Sequence, residues 1–213
     1  MKLLCVNAGS SSLKFQLYEM PEEISVISGY VEKIGAEDSF YTIKHNGEKT
    51  ETKKSIKNHN EAVSVMLEEL VNYGAVKELS EIKGVGHRVV HGGEKYADSV
   101  IITNEVLKDI KTFTKFAPLH HPGNIAGIQA MQKALPEAVQ VAVFDTAFHH
   151  SIPPVQYMYP VPMEWYKKYG VRKYGFHGTS HKYITETMRK KLGQENVNLI
   201  ICHVGSGASI TAV

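Results

Sequence analysis

The chain has 213 residues, 43% hydrophobic and 22% charged, which is ordinary for a globular protein and enough for one large core or two small ones. A formal net charge of +2 gives no bulk electrostatic pull toward nucleic acid or an anionic membrane surface. No apolar run has the length of a bilayer span and no basic segment leads into a long apolar one at the start, so a cytoplasmic setting with no membrane or nucleic-acid partner is expected.

In chain order, residues 2–7 and 12–18 alternate as two strands around the turn Gly9-Ser10-Ser11, which predicts a hairpin. A third strand is expected over 24–33, and a hairpin centred on Gly47 joins 39–45 to 49–54. The period then changes, and Ala62, Val65, Met66, Leu70 and Val71 recur at helical spacing over 60–72. A short strand over 84–91 carries HRVVHGG, and helices follow over 104–115 and 122–135, the second opening on Pro122. Residues 139–148, VQVAVFDTAF, read as a buried strand ending on a carboxylate.

Pro153, Pro154, Pro160 and Pro162 make the chain irregular after Ser151, which sets the expected boundary between a domain over 1–150 and the start of a second over 151–213. An aromatic and basic segment to Tyr174 precedes a helix over 179–192 and the strand NLIICHVGSG. Cys5 and Cys202 lie in apolar strand-like runs, where buried free thiols are expected. The order of elements predicts an α/β fold with a mixed sheet flanked by helices.

One internal echo organises these elements. A slide that puts Gly9 on Gly205 and Ser10 on Ser206 also puts Leu4-Cys5-Val6 on Ile200-Ile201-Cys202, and Asn7 on His203. Each segment is an apolar strand, a polar residue, a Gly/Ser turn and a second strand, as two related domains would carry.

Several residues have the chemistry of a phosphate site. The Gly9 turn offers backbone N–H groups and hydroxyls to phosphate, with Lys14 adding charge, although the P-loop pattern GxxxxGK followed by Ser or Thr is absent. The alternative is a tight hairpin and nothing more. Arg88 within a strand calls for an anionic partner, either a ligand or an ion pair on the sheet surface. Asp145 stands where the ligand lies in open α/β sheets and suits Mg²⁺, with a turn cap as the alternative. His177 precedes a helix that Thr179 or Ser180 could cap. Eleven histidines raise a metalloprotein reading, but HExxH is absent and no zinc spacing includes the cysteines. EWYKKYGVRKYGF mixes aromatics with basic residues as single-strand binders do, yet a half-buried connecting segment explains it as well.

Taken together, NAGSSSLKF, GHRVVHGGE, FAPLHHPGN, VAVFDTAFH, RKYGFHGTSHKYI and HVGSGASITAV resemble the acetokinase family of acetate, propionate and butyrate kinases, in family order and over essentially the whole chain. The resemblance implies the ribonuclease-H-like fold of the acetate and sugar kinase, Hsp70 and actin superfamily, duplicated around a cleft. It implies transfer of the ATP γ-phosphoryl to acetate, giving acetyl phosphate and ADP, with Mg²⁺ (or Mn²⁺), and a homodimer for the full-length protein. Carried over by motif, Asn7 would lie near metal and phosphates, with Ser10, Ser12 and Lys14 at the phosphates. Arg88 would hold the acetate carboxylate, with Val90, Leu119 and Phe176 around the substrate. Asp145 would be the essential acid and metal residue, and His177 and His120 would bond the transferring group. His203, Val204, Gly205, Ser206 and Gly207 would form a nucleotide-phosphate loop.

The sequence departs from the family pattern in three places. HVGSG stands where H-L-G-N-G is usual, HHPGN stands where H-N-P-A-N is usual, and the chain stops at Val213, early in the expected second domain. An N-terminal portion with incomplete activity, a fragment that binds only anions, and a propionate kinase are therefore the alternatives to a complete acetate kinase.

Overall fold

The structure is a computed structural model that describes residues 1–205 and 207–213. The chain divides into two compact units, Met1–His91 with Ser99–Val143, and Gly92–Asp98 with Phe144–Val213. The boundary expected at Ser151 lies inside the second unit.

The first unit is built on an eight-stranded sheet. Its strands are β1 (Lys2–Ala8), β2 (Ser12–Glu19), β3 (Ile24–Glu32), β4 (Phe40–His45), β5 (Glu48–Lys53), β6 (Ile82–Val89), β7 (Val100–Ile101) and β8 (Val139–Phe144), in the spatial order β5-β4-β3-β2-β1-β6-β8-β7. The run from β5 to β1 is antiparallel and β1 pairs with β6 in parallel, so the sheet is mixed as expected. Period-two alternation puts Leu4, Val6, Leu13, Phe15 and Leu17 on one buried face. The helices α1 (His59–Asn72) and α3 (His121–Ala134) supply Ala62, Met66, Leu70 and Met131 to the same core cluster. Each such side chain contributes roughly 1.5–3 kcal/mol through apolar burial. Asn58 starts α1 by accepting a hydrogen bond from Glu61 N at 3.1 Å, and Pro122 lies in the first turn of α3.

Three local expectations change. The segment 104–115 is α2 (Asn104–Thr112) followed by a 3-10 turn over Phe113–Lys115. Cys5 is exposed, because alternation turns it to the sheet face opposite Leu4 and Val6, and Cys202 of the second unit is exposed as well. The strand predicted over 139–148 stops at Phe144, and Ala147–Ser151 form a 3-10 turn. Past Phe144 the backbone carbonyls are taken up by a distant segment and by the turn itself. Gly178 N donates to Asp145 O at 2.9 Å, and His149 N donates to Thr146 O at 3.2 Å.

The second unit holds short helices α4 (Pro154–Tyr157) and α5 (Met163–Tyr169) where irregular chain was expected, then α6 (Gly178–Leu192) and a two-stranded antiparallel sheet of β9 (Ile200–Val204) and β10 (Ala208–Ala212). Gly170, at φ 71°, ends α5 in the left-handed conformation. The aromatic and basic segment folds on itself: the Arg172 guanidinium lies 3.5 Å from the Tyr157 ring centroid and pairs with Glu94 at 2.6 Å. Tyr166 also donates to Glu94, at 3.0 Å.

Candidate functional site

In the first unit several of the residues expected at the site gather at the carboxyl ends of β1 and β6. Val6 pairs with His87 across the parallel ladder, so Asn7 and Arg88 follow on adjacent strands, and Arg88 Nη1 donates to Asn7 Oδ1 at 3.4 Å. Lys14 pairs with Asn7 on the other side, from β2. Val90 is buried just past the end of β6. This places a cation, an amide and a small apolar side chain close together. Ser10 and Ser12 belong to the turn, closed by Gly9 N donating to Ser12 O at 2.8 Å. His120 is the residue before α3, and both it and Leu119 are exposed; Leu119 retains 77% of its accessible surface.

The N-terminal end of α3 fixes this region. Asn124 Nδ2 donates to Ala8 O at 2.6 Å, while Asn124 Oδ1 accepts from Val90 N at 3.2 Å, so one buried amide ties the two strand ends. A Cβ on Gly123 would lie 2.2 Å from Gly9 O, and only glycine lets the helix approach the turn so closely. His59 Nε2–H donates to the same Gly9 carbonyl at 2.7 Å. None of Asn124, Gly123 and His59 was singled out from the sequence. The signal available was HPGN, whose proline marks a helix start but says nothing of what the next two residues touch.

In the second unit Asp145, 1% exposed, follows directly on β8. Gly92 N donates to Thr146 Oγ1 at 3.0 Å, and a Cβ on Gly178 would lie 2.2 Å from Asp145 O, so α6 starts against the Asp145 backbone. His177 precedes α6 at φ 55°, a left-handed conformation that costs a non-glycine residue roughly 1–3 kcal/mol. The expected cap is not formed. Thr179 and Ser180 lie inside the helix, and Ser180 Oγ instead meets His203 Nδ1 at 3.0 Å.

The His177 ring stacks on His203, with centroids 4.1 Å apart and planes 25° apart. Behind them are His181, whose ring lies 5.5 Å from that of His149, and Ser209 of β10. Burial holds the pKa of His149 below the ordinary imidazole value, partly offset by donation to Phe176 O at 3.0 Å and by the Asp145 charge. Burial also lowers that of His181, helped by the neighbouring His149, His203 and His177. Phe176 itself is partly exposed. Val204 ends β9, and Gly205, which follows it, donates from its N to Gly207 O at 3.0 Å. Ser206, expected in the nucleotide loop, lies outside the described residues. Among the described residues no three His, Cys, Asp or Glu side chains are grouped so as to hold a metal ion, and no helix is long and apolar enough to cross a membrane.

A profile of the acetokinase family matches residues 2–213. An acetate kinase from Bacillus cytotoxicus is 56% identical over 100% of this chain and 54% of its own length, and one from Geobacillus sp. is 54% identical over the same shares. The crystal structure of the Porphyromonas gingivalis acetate kinase superposes with a TM-score of 0.94 at 44% identity, covering 100% of this chain and 54% of the other. A propionate kinase from Francisella tularensis gives 0.94 at 40% identity, over the same shares. The chain thus spans about half the length of the relatives it matches, and its fold is the ribonuclease-H-like α/β fold of theirs. The chain belongs to the acetokinase family.

Proposed function

We propose that this chain carries the acetate- and phosphate-handling part of a cytoplasmic kinase that reversibly transfers the ATP γ-phosphoryl group to acetate, giving acetyl phosphate and ADP, and that is a homodimer at full length. The observation that carries the reading is the arrangement of Arg88, Asn7 and Val90 at neighbouring strand ends, with Arg88 Nη1 3.4 Å from Asn7 Oδ1 and Val90 buried beside them in sequence. A guanidinium recognises a carboxylate through paired N–H donors, and a small apolar neighbour suits a methyl group.

An acetate carboxylate is already ionised at neutral pH, so no base has to activate it. The protein's work is alignment and charge neutralisation. Arg88 holds the acceptor, the Gly9 turn with Ser10, Ser12 and Lys14 receives phosphate oxygens, and His203 to Gly207 receive nucleotide phosphate. His177 donates to the transferring group, with His120 as a second donor. Asp145 is a single enclosed carboxylate, which fits Mg²⁺ or Mn²⁺ held mainly by water and phosphate rather than by an all-protein cage. Asn7 Oδ1 is the corresponding amide oxygen in the first unit. When bound, the cation would neutralise phosphate charge. Asp145 then acts by holding it and by alignment, not as a proton acceptor.

The test is acetyl phosphate formation by the 213-residue chain with ATP, acetate and Mg²⁺. Arg88→Ala is expected to lower the rate about 10²–10³-fold, the magnitude for loss of one preorganised charge contact, with folding retained by circular dichroism. Asp145→Asn should lower the rate and raise the cation concentration needed for half-maximal activity. A chain that binds phosphate but forms no acetyl phosphate would overturn the assignment of activity to this chain and leave an anion-binding fragment. Similarity to the Francisella tularensis propionate kinase favours testing propionate beside acetate, since one methylene in a pocket shifts preference by only about 1–3 kcal/mol.

A further inference from the structure

We infer that Ser209 is a positioning residue: a hydrogen-bond relay from His181 through the Ser209 hydroxyl fixes His177 as the tautomer that carries its proton on Nε2. The inference deepens the role proposed for His177 and rests on that reading for its functional meaning.

Ser209 Oγ lies 2.9 Å from His177 Nδ1 and 2.8 Å from His181 Nε2, and among the described residues these two ring nitrogens are its hydrogen-bond partners. A hydroxyl has one proton to give and two lone pairs to receive with. If both nitrogens presented lone pairs, one would face an oxygen lone pair unsatisfied. If both presented N–H groups, the hydroxyl proton would need a third partner. One ring therefore donates and the other accepts.

His181 decides the direction. It is 0% exposed, and its Nδ1 is buried without a hydrogen-bond partner. A proton on Nδ1 would leave a buried N–H orphaned, which folded proteins rarely tolerate, whereas an underused acceptor is more common. A charged His181 would be worse, since three other imidazoles surround it and burial already opposes its protonation. The His181 proton is thus on Nε2 and is donated to Ser209 Oγ. The Ser209 proton then goes to His177 Nδ1, and the His177 proton is on Nε2.

The relay gives a neutral ring a defined donor edge. The stack on His203 sets the plane of that ring and the left-handed backbone of His177 sets where it starts. A neutral imidazole with a fixed N–H can donate to a phosphoryl oxygen without first being protonated by solvent.

The test is a long-range proton–nitrogen correlation spectrum of the imidazole rings in the 213-residue chain near pH 8. The expected result is a His177 Nδ1 with the shift of an unprotonated ring nitrogen and a protonated Nε2. Ser209→Ala should convert His177 to a tautomer mixture, and Ser209→Thr, which keeps the hydroxyl, should restore the single tautomer. A wild-type His177 protonated on Nδ1 overturns the relay, and so does a Ser209→Ala spectrum unchanged at His177. If Ser209→Ala does not fold, the wild-type and Ser209→Thr spectra still decide. In the phosphoryl-transfer assay, Ser209→Ala should lower kcat about tenfold with little change in KM. The intended spectrum together with a His177→Gln rate equal to wild type would leave the relay standing and remove the catalytic role of His177.

Discussion

The two glycine-led hairpins invite comparison because their sequences echo each other while their surroundings differ. Both are formed, with turns closed by Gly9 N to Ser12 O and by Gly205 N to Gly207 O. The first lies inside an eight-stranded sheet, its strands paired on both sides and Leu4, Leu13 and Leu17 fully buried. The second is a two-stranded sheet in which Ile200, Val204 and Ile210 keep 78%, 78% and 73% of their surface and Ile201 is buried. A lone hairpin is marginally stable, so the same turn chemistry rests on a rigid support in one case and on a few contacts in the other. The polar residue before the turn reflects this. Asn7 is held between Lys14 and Arg88 in a sheet, whereas His203 is held by a ring stack and a serine hydroxyl.

The largest expected effect sharpens that contrast. Leu4→Ala should cost about 2–5 kcal/mol in urea unfolding followed on the first unit, the usual cost of truncating a fully buried leucine. Acid should weaken the same region next. His87, paired with Val6 in the ladder, is buried and donates from Nε2–H to Gln140 Oε1 at 2.7 Å, and burial pushes its pKa down to about 4. The unfolded chain then binds a proton that the folded one refuses. Stability is full above the ordinary imidazole pKa and is lost as pH falls from about 6.5 toward 4, by about 3 kcal/mol in all. Urea midpoints measured from pH 7.5 downward check this, and a His87→Gln variant should flatten the profile.

Gly123→Ala tests the support of the first turn directly. Its Cβ would collide with Gly9 backbone, so about 1–3 kcal/mol should be lost, together with shifted Gly9 and Ser10 amide resonances. At the small end, Ile210→Thr in the second hairpin should stay within about 0.5 kcal/mol, as exposed positions do. A large loss there would erase the difference between the two hairpins.

Much of this was legible in the sequence because it rests on local periodicity. The first hairpin, the Gly47 hairpin and the helix over 60–72 follow from alternation, a turn residue and a 3.6-residue period. The early end of β8 was not legible, since Asp145 and Thr146 leave the ladder for partners at Gly178 and Gly92, far away in the chain. The short helices after Ser151 were obscured by prolines, which mark helix starts at 154 and 163 as readily as irregular chain. Exposure of Cys5 could not be read from an apolar run, because composition does not say which sheet face is covered. The motif residues Arg88, Asp145 and His177 were singled out by chemistry and pattern. Ser209 was not, as a serine in a strand carries no mark of the two imidazoles it touches.

Asn124 has a consequence beyond holding two strand ends. By receiving Val90 N on one atom and giving a proton to Ala8 O with another, it acts as a caliper of fixed span. The two jaws lie one residue past Asn7 and two past Arg88, so thermal drift between those side chains is limited by one amide's length. Asn124→Asp would keep the size of the caliper but place an oxygen where the Ala8 carbonyl expects a donor, and the jaw would open. Accuracy at the carboxyl ends of β1 and β6 is therefore set by a side chain that need never touch a ligand.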